Sequence, residues 1–98
     1  MTGGDARVQQ IRDWLTAELG LRLLRLEPAS ADASFRRYFR AWLADGATRV
    51  VMDAPPDKED VAPFLKVAAL LEGCGVHVPH IHAADSVRGL VLLEDLGS

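Results

Sequence analysis

Phe35-Arg36-Arg37-Tyr38-Phe39-Arg40-Ala41-Trp42-Leu43, then Ala44-Asp45-Gly46-Ala47, then Arg49-Val50-Val51-Met52-Asp53-Ala54-Pro55-Pro56 is the stretch that decides the fold. Its two outer parts are rich in aromatic and β-branched residues, and an Asp-Gly pair sits between them, the pattern of a hairpin. The prolines end the second strand, because proline has no N–H for the sheet ladder.

Upstream, Leu21 to Leu26 reads as an apolar strand interleaved with Arg22 and Arg25. Pro28 and the small-residue run Ala29-Ser30-Ala31-Asp32-Ala33-Ser34 predict a loop. Earlier still, Val8, Ile11, Trp14, Leu15 and Leu19 recur at helical spacing, with Gly20 where a left-handed cap is usual. Downstream, Val61, Phe64, Leu65, Ala68 and Leu71 form a second helical stripe, widened by Val67 and Leu70. An N-cap at Asp60 places Pro63 in the first turn, where its missing N–H costs nothing. Gly73 and Gly75 close that helix around Cys74. Two short strands follow, Ile81 to Ala84 and Leu90 to Leu93, separated by the turn Asp85-Ser86-Val87-Arg88-Gly89.

Helix, three strands, helix, two strands is an α+β order. It predicts a twisted, mainly antiparallel sheet of about five strands, an N-terminal helix and one crossover helix, with the helices on one side. A length of 98 residues predicts a single domain spanning residues 1–98, with a thin core. Hydrophobic residues at 49% and charged residues at 26% are an ordinary globular balance. A net charge of -3 offers no general attraction to nucleic acid or anionic membranes. No apolar run approaches the ~20 residues of a membrane span. The start, Met1-Thr2-Gly3-Gly4-Asp5, lacks the features of a secretory signal. With one cysteine, Cys74, no internal disulfide forms, and a reducing cytoplasm is the expected compartment.

Ser34-Phe35-Arg36-Arg37-Tyr38-Phe39-Arg40, after a small-residue loop, resembles the phosphate-covering loop and following strand of the aminoglycoside phosphotransferase and choline kinase superfamily. Val51-Met52-Asp53-Ala54-Pro55-Pro56, Glu59-Asp60 before a helix bearing Phe64, and Leu92-Leu93-Glu94-Asp95-Leu96-Gly97 are similar to one subgroup. That subgroup is the bacterial cell-wall sugar kinases, which phosphorylate N-acetylmuramate and N-acetylglucosamine at the anomeric position. The resemblance runs from about Val8 to Ser98. It implies a kinase-like amino-terminal lobe that holds ATP, with the sugar acceptor, the Mg2+ ligands and the catalytic residues in a C-terminal lobe beyond Ser98. Ser30, Ala31, Asp32, Ala33, Ser34 and Phe35 would cover the phosphates, since small side chains let backbone amides approach anionic oxygens. Main chain from Glu94, Asp95 and Leu96 would meet the adenine edge, with Leu26 and Val51 against the base.

Aligned on the Val-Ala-Ile-Lys of protein kinases, Val50-Val51-Met52-Asp53 puts Asp53 at the lysine position. A carboxylate ~4 Å from a phosphate charge is repelled by about 4 kcal/mol at an effective dielectric of 20. Either Asp53 points elsewhere and pairs with an arginine, or the phosphates are reached differently. Arg36 or Arg37 is the candidate positive charge; the alternative is that both merely edge an exposed strand.

Glu59 and Asp60 are accounted for by helix capping and the helix dipole. His77, His80 and His82, with Cys74 nearby, do not converge in an extended chain containing Pro79, so no metal site is expected. Trp14 and Trp42 read as packing residues. Glu94 and Asp95, adjacent in extended backbone, diverge and do not form an acid–base pair. A Walker loop, Gly-x-Gly-x-x-Gly and His-Gly-Asp are all absent from these residues. No catalytic residue is therefore assigned, and the chain alone is expected to be inactive. Two readings remain open: the nucleotide-binding lobe of an amino-sugar phosphotransferase, or a stand-alone protein-interaction domain.

Overall fold

The run Leu90-Val91-Leu92-Leu93 and its neighbour Val50-Val51-Met52 are apolar on both faces, so a sheet built on them needs cover on both sides. The computed structural model, which describes residues 3–31, 37–55, 61–75 and 79–95, has that arrangement. Five strands, β1 (Leu23–Ala31), β2 (Arg37–Leu43), β3 (Thr48–Asp53), β4 (Ile81–Asp85) and β5 (Leu90–Glu94), lie in the order β1-β2-β3-β5-β4 with every neighbouring pair antiparallel. Helix α1 (Gly3–Asp13) runs into a π-helical turn, Trp14–Glu18, and helix α2 (Ala62–Gly73) bridges β3 and β4.

Val51 is in register with Phe39 and Leu92. Together with Leu26, Ala41 and Leu90 they meet Ile11, Trp14 and Leu15 in one buried cluster. Met52 is in register with Tyr38 and Val91 and belongs to a second cluster, with Leu93, Ala54 and Val61, against which Phe64 and Leu65 pack. The helices therefore cover opposite faces rather than one side. Side-chain alternation enforces this, because covering only the Val51 face would leave Met52, Val91 and Leu93 in water.

Three local departures have physical causes. First, β1 continues through Pro28 to Ala31, where a loop was expected. It is an edge strand, so the missing N–H of Pro28 breaks no ladder bond, and the register slips between Pro28 and Ser30. Second, Leu19 N–H donates to Trp14 O at 3.0 Å, an i→i+5 bond that widens the last turn before Gly20 takes φ +70. Third, α2 takes its N-cap at Val61, without a side-chain cap bond, and Pro63 falls in its first turn. Asp60, the expected cap, lies outside the described residues, as do Glu59 and Pro56. The Asp45–Gly46 turn forms as read, with Gly46 at φ +90 and Ala47 N–H on Asp45 Oδ1 at 2.9 Å.

No residue of α2 is fully buried; Val67 and Leu70 are 53% and 62% exposed. Leu15, by contrast, has no exposed surface. Leu15→Ala should lower the unfolding free energy by about 2–5 kcal/mol through the cavity it leaves. Leu70→Ala should stay within about 0.5 kcal/mol of the parent. Urea denaturation midpoints of the two variants check both values.

Candidate functional site

β3 ends with two residues that look opposite ways. Met52 faces the α2 side, whereas Asp53 lies under α1 with no exposed surface. A one-residue difference in a strand reverses the face, so Asp53 points away from α2 and pairs with arginines, the first of the two alternatives offered for it. Its carboxylate is held from two directions. Arg7 of α1 donates Nε–H to Oδ1 at 2.6 Å, and Arg37 donates from Nη2 and Nε to Oδ2 at 2.7 and 3.2 Å. Arg7 also donates to Arg88 O at 2.6 Å and to Gln10 Oε1 at 3.1 Å. Asp53 thus ties α1 to the ends of β2 and β3, and through Arg7 to the β4–β5 turn. Arg37 is engaged there, with its guanidinium 5.3 Å from the Phe39 ring centroid.

The second site region is where β5 leaves the sheet. Glu94 N–H donates to His80 O at 2.8 Å, and its carboxylate accepts from His80 N–H at 3.0 Å. The Glu94 amide donor is therefore spent inside the sheet, and the expectation that it meets an adenine edge is corrected to that extent. Asp95 turns its carboxylate beneath the sheet, where Arg40 Nε donates to it at 2.9 Å; the Asp95 side chain is 7% exposed. Glu94 and Asp95 do diverge.

Arg40 belongs to a half of the α2 face that α2 does not cover. The cluster beneath α2 reaches no further than Tyr38 and Val50. On the same face, register sets Glu27 beside Arg40 and Arg25 beside Trp42. Arg25 stacks over the Trp42 ring at 4.5 Å and pairs with Glu27, which holds the Glu27 carboxyl below its ordinary range. The result is an open, charged but pairwise-neutral roof. Trp14, the other tryptophan, is core.

Ser30 and Ala31 are the last residues of β1, paired with Tyr38 and Arg37. Asp32, Ala33, Ser34, Phe35 and Arg36 lie outside the described residues, as do Leu96 and His77. Ser30 aligns through Tyr38 and Met52 with Val91, three residues before Glu94. Strand spacings then set Ser30 and Glu94 about 14 Å apart across the sheet and about 10 Å along it. Val51 and Leu26, expected against a base, are enclosed beneath α1 at 0% and 8% exposure and line no open surface.

His80 and His82 share a face, their rings edge-on with centroids 4.9 Å apart, and Cys74 is exposed. Among the described residues no three His, Cys, Asp or Glu side chains converge. Partial burial, then the Arg49 charge and His80, lower the His82 pKa below 6.5, against an opposing pull from Glu94. Arg7 escaped the sequence reading, because nothing at its position signals a partner 46 residues away.

The family profile described as phosphotransferase enzyme family matches residues 25–97. The chain is 52% identical to an N-acetylmuramate/N-acetylglucosamine kinase of Pseudomonas aeruginosa over 95% of its own length. It is 47% identical to the kinase of the same name from Pseudomonas putida over 96%, and 48% identical to that of Neisseria meningitidis serogroup B over 91%. It spans 30%, 30% and 26% of those three relatives. No solved structure gives a significant match.

Asp53→Ala should destabilise the fold by about 3 kcal/mol, since removing one partner of a buried ion pair strands the others. Asp53→Asn should cost less, and equilibrium denaturation compares the two. For His82 the lowered folded pKa means that folding favours the neutral ring. Its contribution is complete above pH 6.5 and is lost as pH falls through the folded pKa. An NMR titration should give a His82 midpoint below that of a free histidine.

Proposed function

Because the chain belongs to the phosphotransferase enzyme family, we propose that it is the nucleotide-holding lobe of an ATP-dependent amino-sugar kinase. Its five-stranded antiparallel sheet with a crossover helix is a kinase-like amino-terminal lobe. The observation that carries the reading is the 52% identity, over nearly the whole chain, to a kinase named for N-acetylmuramate and N-acetylglucosamine. One of these sugars is the acceptor, phosphorylated at its anomeric hydroxyl.

The nucleotide lies under the open half of the α2 face. Its base meets the main chain around Asp95 and Leu96, and its phosphates extend toward the stretch from Ser30 to Phe35. The separation of those two ends suits an extended nucleoside triphosphate. Val50, half-buried on that face, takes over the base-facing part first given to Val51. Val51, Asp53 and Arg37 support the site from behind, which leaves Arg36 as the phosphate-directed arginine.

Mg2+ and the catalytic base belong to the part of the relatives' length that the chain, spanning 30%, 30% and 26% of them, does not cover. Asp53 and Asp95 are both occupied by arginines, and phosphoryl transfer needs metal ligands and a base held in place. The 98 residues alone then transfer no phosphate. Among the described residues no helix is long and apolar enough to cross a membrane. Use of ATP is consistent with a cytoplasmic place of action.

The test is incubation of the full-length protein carrying these residues with ATP, Mg2+ and either sugar. A sugar 1-phosphate should form, and the isolated 98 residues should form none. Arg36→Ala should raise the KM for ATP, whereas Arg36→Lys should largely preserve it. Failure of the full-length protein to phosphorylate either sugar would sink the assignment. The exposed Val67 and Leu70 flank would then favour a protein-interaction domain.

A further inference from the structure

We propose that a pocket at the margin of the α1 face, walled by leucines and holding Arg49, is a binding site for a small carboxylate with an apolar body. It lies on the face opposite the open roof and does not depend on the nucleotide reading. The pocket forms where the chain leaves the π-helical turn. Leu19 and Leu21 there, with Leu43 of β2 and Leu92 of β5, line a cavity of about 240 Å3. That volume falls below the roughly 300–1,000 Å3 of sites for drug-sized ligands, which selects a small guest.

Arg49 sets the charge of that guest. It stands two residues before Val51 on β3 and so shares the α1 face. It is half-buried, yet among the described residues it forms no ion pair, unlike Arg7, Arg25, Arg37, Arg40 and Arg88. Its Nη1 donates to Thr48 O at 2.9 Å. Glu94, the acid beside it in register, instead accepts from His80 N–H at 3.0 Å. A cation drawn out of water without a counter-charge is costly, and an anion in the pocket lowers that cost. A guanidinium matches a carboxylate through two parallel hydrogen bonds. Phosphate fits less well, because Arg49 is the one arginine or lysine among the described lining residues. Asp45, exposed on the hairpin turn, also lines the pocket and repels added negative charge.

His82 reports on the site. It is the extra residue of a register shift between Ile81 and Ala83, and such bulges re-aim a side chain. Arg49 from β3, Glu94 from β5 and His80 from its own strand act on its ring, and Asp45 lines the same pocket. Partial burial, Arg49 and His80 hold its pKa below 6.5, against Glu94. An anion on Arg49 offsets the Arg49 contribution, so a filled site makes His82 easier to protonate. By linkage, the guest binds more tightly as pH falls through that midpoint.

The experiment titrates benzoate, benzamide, acetate and inorganic phosphate into the full-length protein carrying these residues. Calorimetry gives affinity, and histidine-ring NMR follows His82, whose signal His82→Gln identifies. Benzoate should saturate and raise the His82 midpoint. Benzamide, acetate and phosphate should each bind about tenfold more weakly or worse, the scale of one lost charge-assisted bond or apolar contact. Arg49→Gln should weaken benzoate at least about tenfold and raise the His82 midpoint with no ligand present. Arg49→Lys should restore part of the affinity, and His82→Gln should remove its pH dependence. Melting temperatures without ligand separate lost binding from lost fold. If Arg49→Gln does not fold, Arg49→Lys and the benzoate–benzamide comparison in the parent carry the same distinction. The site is overturned if benzoate does not saturate, or if benzamide or phosphate binds as tightly. A folded Arg49→Gln variant that takes benzoate at parental affinity overturns it equally.

Discussion

A carboxylate with no exposed surface, Asp53, is gripped by arginines from a helix and a strand, and the order of the molecule follows from it. An ion pair of this kind adds little net stability, since desolvation offsets most of the attraction. What it supplies is an address. Hydrophobic packing alone would let α1 slide over the Val51–Phe39–Leu92 surface, because apolar contact has no direction. Arg7 reaches both Asp53 and Arg88 O from α1, so directed bonds to two other elements fix where the helix sits. Arg37 likewise fixes the start of β2 against the end of β3, independently of their ladder.

The two faces of the sheet are finished differently. The α1 face is closed: Ile11, Leu15, Val51 and Leu90 have no exposed surface. The α2 face is closed only over β3, β5 and β4, and is charged over β1 and β2. A sheet meant only to be stable would cover both halves. The half left open carries side chains that neutralise one another in pairs, which keeps it soluble without strong attraction for anions in general.

Much of this was legible in the sequence. The Asp45–Gly46 hairpin, the element order and the Pro63 first turn follow from local rules that need no knowledge of the rest of the chain. The errors came where a distant contact decides. Pro28 signals a loop by composition, but it is tolerated because β1 is an edge strand, a fact fixed only when β4 and β5 join the sheet beyond β3 rather than beside β1. For Asp53 the sequence left two alternatives, and pleating with the Arg7 and Arg37 pairs selects the one in which it points elsewhere and meets arginine. Met52, the residue facing α2, looks unremarkable as a sequence letter. Arg7 and Arg40 find their acids 46 and 55 residues away, and no spacing rule reaches that far.

The charge arrangement also constrains how a polyanion could be held. Placed unpaired beside a phosphate, Asp53 or Asp95 would repel it by about 4 kcal/mol at ~4 Å and an effective dielectric of 20. Each acid is instead matched to arginine, and Asp53 faces away from the open roof. The same matching spends the cations: Arg7 and Arg37 serve Asp53, Arg40 serves Asp95, and Arg25 serves Glu27. The paired arginines therefore leave the open roof electrostatically permissive toward an anion rather than attractive to it. If the lobe holds a nucleotide as proposed, the attraction would come from groups beyond these pairs, with Arg36 the proposed candidate. On that proposal, nucleotide affinity would depend more on where the backbone is placed than on how much charge the sheet carries.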